Sequence, residues 1–162
     1  MADVMLSIRP KWCELIALGK KTVEVRKTRP RKETPFKCYI YQTLPKSGDW
    51  KERDGQVIGE FVCSKISRYA VCGSNKFDKR YCEVDSSLYI HDIDFSKLRL
   101  TPNELQEYGN GACLFGWHIS ELVIYDKPKE LISFWTRKDR GAWSDWKQMK
   151  RPPQSWCYVE EA

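Results

Sequence analysis

The sequence predicts an α+β domain that is mostly β, a small mixed β-barrel with about three short helices. Three observations predict it. Strand-length runs concentrate or alternate β-branched and aromatic residues, a few short stretches carry helix start and stop signals, and neither a strand–helix–strand alternation nor an internal repeat runs through the chain. A chain of 162 residues has the length of one domain, and such a domain buries roughly 70% of its unfolded surface. The expectation is a single domain over residues 1–162, with residues 70–100 as an elaboration on it.

Taken in order, residues 4–8 read as a short strand. Pro10 then fits the first turn of a helix in which Trp12, Leu15 and Ile16 recur at helical spacing, and Gly19 supplies its stop. Residues 21–27 alternate, Val23 and Val25 on one face and Thr22, Glu24 and Arg26 on the other, which predicts a half-buried strand with the valines inward. Two prolines and four charges make residues 28–35 a loop, and the aromatic run at 38–44 is a strand. The apolar parity shifts between Phe61 and Ile66, so residues 56–69 form a strand that bends, eased by Gly59. Thr101 with Glu104 makes a capping box, Pro102 takes the first helical position and Gly109 ends that helix. Residues 112–125 form a second long β segment with a bend at Gly116, and Leu131, Phe134 and Trp135 suggest a short helix. Pro152 and Pro153 forbid helix, so residues 155–159 serve as the last strand, closing the sheet.

Hydrophobic residues at 41%, seven tryptophans, and only 9 Gly and 8 Pro exclude disordered and collagen-like chains. No apolar run reaches the roughly 20 residues of a membrane span, and residues 1–10 lack the basic-then-apolar order of a signal peptide. A cytoplasmic or nuclear protein without a membrane partner is expected. The seven cysteines (13, 38, 63, 72, 82, 113 and 157) are odd in number and include no CxxC, so reduced thiols, no metal site and no cofactor are expected.

The net charge of +6 is unevenly spread. Residues 20–37 hold eight basic residues against Glu24 and Glu33, and residues 137–151 interleave six more with Trp143 and Trp146. Basic stretches of this kind point to a polyanionic partner, and exposed aromatic faces within them suit single-stranded nucleic acid. Trp143 and Trp146 have little apolar company and are candidate exposed contacts, whereas Trp12, Trp117 and Trp135 lie on apolar faces and are expected in the core. His118 has no partner motif and is read as structural.

Residues 19–26, Gly-Lys-Lys-Thr-Val-Glu-Val-Arg, have the form GxKxxExR where a helix ends and a strand begins, and the chain closes on Pro-Gln-Ser-Trp-Cys-Tyr at 153–158. In this order of elements and motifs the sequence resembles the ASCH domain family, over nearly all the chain outside residues 70–100. The resemblance implies a PUA-like β-barrel and a cleft beside the first helix, lined by Lys21, Glu24 and Arg26, that receives RNA or a modified nucleobase. It also places Gln154 and Ser155 near that cleft, where an amide and a hydroxyl can read a base edge. With Lys20 and Lys27 these residues make the expected RNA-binding set, for RNA that is single-stranded or has an exposed base.

Read from the residues alone, Glu24 and Arg26 lie two apart on one strand face and can pair, with a surface ion pair as the plain alternative. Lys21 follows the helix stop, where an ammonium meets the last helix carbonyls. Some ASCH-like proteins resemble hydrolases, of RNA or of an acylated cytidine, so a small hydrolase in the same cleft, with Lys21 and Glu24 catalytic, is the alternative function. In the amidohydrolase branch a threonine nucleophile stands three residues after the motif lysine. Here that position is Glu24, and Thr22 projects from the opposite face to Lys21.

Overall fold

The computed structural model describes residues 2–73, 75–137 and 145–162. Along the chain come β1 (Asp3–Ile8), α1 (Pro10–Ala17), β2 (Val23–Arg26), β3 (Phe36–Gln42), β4 (Gln56–Cys72), β5 (Arg80–Val84) and β6 (Ile90–His91). Then follow α2 (Phe95–Leu98), α3 (Pro102–Gly109), β7 (Leu114–Lys129), a 3₁₀ turn (Leu131–Ser133), β8 (Phe134–Thr136), β9 (Lys147–Gln148) and β10 (Trp156–Glu161). The fold class is as expected, mixed and mostly β with three short α-helices. Two compact units divide the chain: Met1–Leu18, Phe36–Val62 and Ser120–Ala162 form the first, and Gly19–Pro35 with Cys63–Ile119 the second.

In the first unit β1 lies between β3, to which it is parallel, and β10, to which it is antiparallel. Its residues from Val4 to Ile8 are buried on both faces, as the central position of the strand demands. The strand order there is β7-β4-β3-β1-β10-β8-β9, and among the described residues β7 and β9 do not pair, so the last strand leaves the sheet open instead of closing a barrel. Met5, Tyr39, Val57, Phe134 and Val159 form the core beneath. At the rim of that core six side chains link into a ring. Tyr39 donates to Glu161, Glu161 pairs with Lys129, and Lys129 sits over the Tyr125 ring. Tyr125 in turn donates to Glu60, Glu60 pairs with Lys37 at 3.0 Å, and Lys37 sits over the Tyr39 ring.

The expected helix around Leu131 to Trp135 is only the 3₁₀ turn, followed by β8. Strand alternation there sends Phe134 inward and leaves Trp135 40% exposed, so Trp135 is not a core residue. Trp12 is half-buried, and Trp117 is fully buried as expected.

In the second unit β2 pairs antiparallel with β7, and β5 pairs antiparallel with β4 and β6. Val23, Val25, Tyr69, Tyr81, Leu98, Leu105 and Leu114 make its core, packed by Phe95 and Leu100. Thr101 caps α3 by accepting from Glu104 N at 3.1 Å, and the left-handed stop is Asn110, one residue beyond the expected Gly109. Gly116 is required by close approach, since a Cβ there would lie 2.3 Å from the Tyr69 hydroxyl. The stretch at 70–100 that is polar in sequence supplies β5, β6 and α2.

Cys72 and Cys82 are disulfide-bonded, against the expectation of seven reduced thiols. The reason is register: Cys72 is opposite Arg80 and Cys82 opposite Ala70, which makes the two cysteines diagonal neighbours on one face of the β4–β5 hairpin. Among the described residues no group of His, Cys, Asp or Glu side chains has the arrangement of a metal site. No described helix is long and apolar enough to cross a membrane.

Candidate nucleic-acid interface

The motif residues all belong to the second unit. Gly19 takes φ +70°, the left-handed conformation that ends α1 and turns the chain toward β2. Thr22 N then donates to Lys97 O, and Ile119 N donates to Thr22 O, so the entry to β2 is tied to both α2 and β7. Within β2 the register sets Glu24 opposite Trp117 and Arg26 opposite Phe115, on the face away from the valines.

That face is not the solvated one expected. Lys21, Glu24 and Arg26 are 2%, 6% and 8% exposed. Arg26 Nη2 lies 3.0 Å from Glu24 Oε1, and Lys21 Nζ lies 3.4 Å from Glu24 Oε2 while donating to Leu98 O at 2.5 Å. The expected pairing of Glu24 with Arg26 is therefore present, as part of a buried network of three and not as a surface ion pair. The carboxylate is held between two cations, and Lys21 adds a main-chain carbonyl of α2 to its partners. Burial pushes the Lys21 ammonium below the usual lysine range, against the opposing pull of Glu24.

Tyr108 of α3 is the neighbour that sequence reading missed. The residue is 39% exposed, and Lys27 Nζ stands 4.9 Å from its ring centroid. Burial raises its phenol above the usual range, with Arg26 and Glu24 both acting on it. No spacing rule links residues 27 and 108, and only the packing of α3 in the second unit brings them together. Lys20 and Lys27 are exposed, and Thr22 is exposed where Lys21 is buried.

Gln154, Ser155 and Trp146 belong to the first unit. Gln154 is exposed and Ser155 half-buried, its carbonyl accepting from Ser7 N at 3.0 Å. Trp146 is half-buried with the Arg137 guanidinium 5.0 Å from its ring centroid. Trp143 lies outside the described residues.

No family model and no curated protein matches this chain. Comparison of folds does find likenesses. Solved structures of an ASCH protein from Zymomonas mobilis share this fold. At 18% sequence identity the match to that protein covers 98% of this chain and 87% of the other, with a TM-score of 0.58. A serine-to-alanine variant of the same protein matches with a TM-score of 0.60 at 18% identity, over 98% of this chain and 88% of the other. A tyrosine-to-phenylalanine variant gives 0.59, also at 18%, over 98% and 90%. The ASCH fold expected from the motifs is thus the fold the chain has.

Proposed function

We propose that this protein binds RNA, single-stranded or with an exposed base, on the face of the second unit where Lys20, Lys27 and Tyr108 surround the Lys21–Glu24–Arg26 network. The observation that carries the reading is the pairing of an exposed aromatic ring with an ammonium, Tyr108 and Lys27, directly beside that network. A base stacks on such a ring and a phosphate meets such a cation. The buried ion pairs hold β2 and α2 in place beneath the contact surface, so Glu24 and Arg26 act as scaffold and the exposed residues meet the ligand. In the first unit, taken by itself, Gln154, Ser155 and the Arg137–Trp146 pair offer polar and stacking groups of the same kind, and the ASCH fold and the excess of six positive charges support a polyanionic partner.

Titration of short labelled single-stranded RNAs over a range of salt tests this. Log affinity should fall linearly with log salt, by roughly 0.7 for each phosphate neutralised, and Lys27→Ala should lower that slope by about one such step. Tyr108→Ala should cost roughly 1–3 kcal/mol of binding, the worth of one stacked base. No binding at low salt, or binding indifferent to salt, would overturn the proposal.

A further inference from the structure

The second unit has a cavity of about 270 Å³, set between the start of β5, the segment that leads into α2, and α3. Its floor is apolar: Tyr81 and Ile93 are 7% and 8% exposed and belong to the core of the unit. The Tyr81 hydroxyl donates to Ala112 O at 2.7 Å, so what this residue offers the cavity is its ring. Phe95 and Pro102 continue the apolar lining. Three polar side chains of different kinds complete it, the Arg80 guanidinium, the Asp92 carboxylate and the Gln106 amide. All three residues are exposed, and none of these side chains has a hydrogen bond or ion pair among the described residues.

The lining defines the ligand. A drug-sized molecule needs a pocket of roughly 300 Å³ or more, so the occupant here is smaller than that. A cation and an anion that line one cavity without pairing can each take the opposite charge of a single molecule. A nucleotide or other phosphate brings its charge toward the Asp92 carboxylate, and a simple amine meets the same obstacle at Arg80. A zwitterion meets neither. The rings of Tyr81 and Phe95 favour an aromatic body, which packs against them by edge or face. The Gln106 amide both donates and accepts, so it can serve either charged end.

We propose that this cavity binds a free α-amino acid with an aromatic side chain. Arg80 takes the carboxylate, for which its planar fork of donors is suited, and Asp92 takes the ammonium. The side chain enters over Tyr81, Ile93 and Phe95, where its burial adds to the two charged contacts. No bond is made or broken. The cavity uses none of the residues proposed to meet RNA, so it stands or falls apart from that reading.

The test is titration of the full chain with L-phenylalanine, followed by two-dimensional amide NMR. Saturable shifts should appear at residues 80–82, 92–95 and 103–106, with a Kd of about 1 mM or tighter. Three analogues each lack one feature: 3-phenylpropanoate the ammonium, phenethylamine the carboxylate, and L-alanine the ring. Each should bind at least roughly tenfold more weakly. Arg80→Gln should weaken L-phenylalanine by roughly tenfold without weakening phenethylamine, and Asp92→Asn should do the same without weakening 3-phenylpropanoate. Both substitutions are at exposed positions and should leave the fold intact. No saturable shift up to about 10 mM L-phenylalanine overturns the proposal, and so does saturation confined to other residues. An analogue that binds as tightly as L-phenylalanine, or an unchanged affinity in either variant, overturns it too. RNA affinity should be the same in both variants.

Discussion

At the scale of single residues, the GxKxxExR motif locates the network in sequence but says nothing of its burial. Alternation along 21–27 marks Glu24 and Arg26 as the solvent face, because a strand pattern registers only the valine side. What buries the other face is non-local: Trp117 and Phe115 stand beside it on β7, and the Leu98 carbonyl reaches Lys21 from α2. The consequence is energetic. Lys21→Ala, which would be nearly neutral at a surface position, should destabilise by about 3 kcal/mol, because it leaves a buried carboxylate with one cation fewer. In a chain of this size that lowers the melting temperature by roughly 6–12 °C, whereas Lys27→Ala should stay within about 0.5 kcal/mol. The titration has a definite sign. With its folded-state value below the usual 10.5, native Lys21 loses its proton before the unfolded chain does, so stability rises with pH between the folded value and 10.5. Lys21→Met should lack that rise, which denaturant melts at neutral and alkaline pH would show.

At the scale of elements, those with local signals were legible. Pro10 and Gly19 bracket α1, and Thr101 with Glu104 opens α3, because capping is settled by neighbours three residues apart. The elements at 80–98 were not. α2 is four residues long and opens with Asp94 accepting from Ser96 N, while β5 and β6 are placed by pairing with β4 and with each other. The Lys37–Glu60–Tyr125 half of the ring in the first unit is equally invisible in sequence, since it joins β3, β4 and β7. Burial pushes the Glu60 carboxyl up, but the Tyr125 hydroxyl and the Lys37 ammonium outweigh it and hold it below its usual 4.5. The stability from this group is present above 4.5 and is lost as the pH falls through the folded-state value. Glu60→Gln should therefore flatten the acid limb of a stability-versus-pH curve. Both partners are partly exposed, so the change should remain under about 1 kcal/mol.

At the scale of the whole molecule, sequence order hides the division into two units, because neither unit is continuous. The chain passes from one to the other after residues 18, 35, 62 and 119. The last two passages fall inside β4 and β7, so each of these long strands begins in one unit and ends in the other. The parity shift near Phe61 in the sequence stands next to the first of them, which is why one segment reads as a bent strand and not as two elements. Shared strands bear on cooperativity. Melting the second unit would fray residues 63–72 of β4 and 114–119 of β7, and those residues have no loop to isolate them from the strand that continues. Unfolding should accordingly be a single transition, with one free energy for both halves of β4. Native-state hydrogen exchange tests this by comparing the slowest amides at 57–61 with those at 67–71. Equal protection is the expected result. A second half that opens more easily by about 2 kcal/mol or more would mean that the strands uncouple at residues 62 and 119, and that the two units unfold as separate bodies.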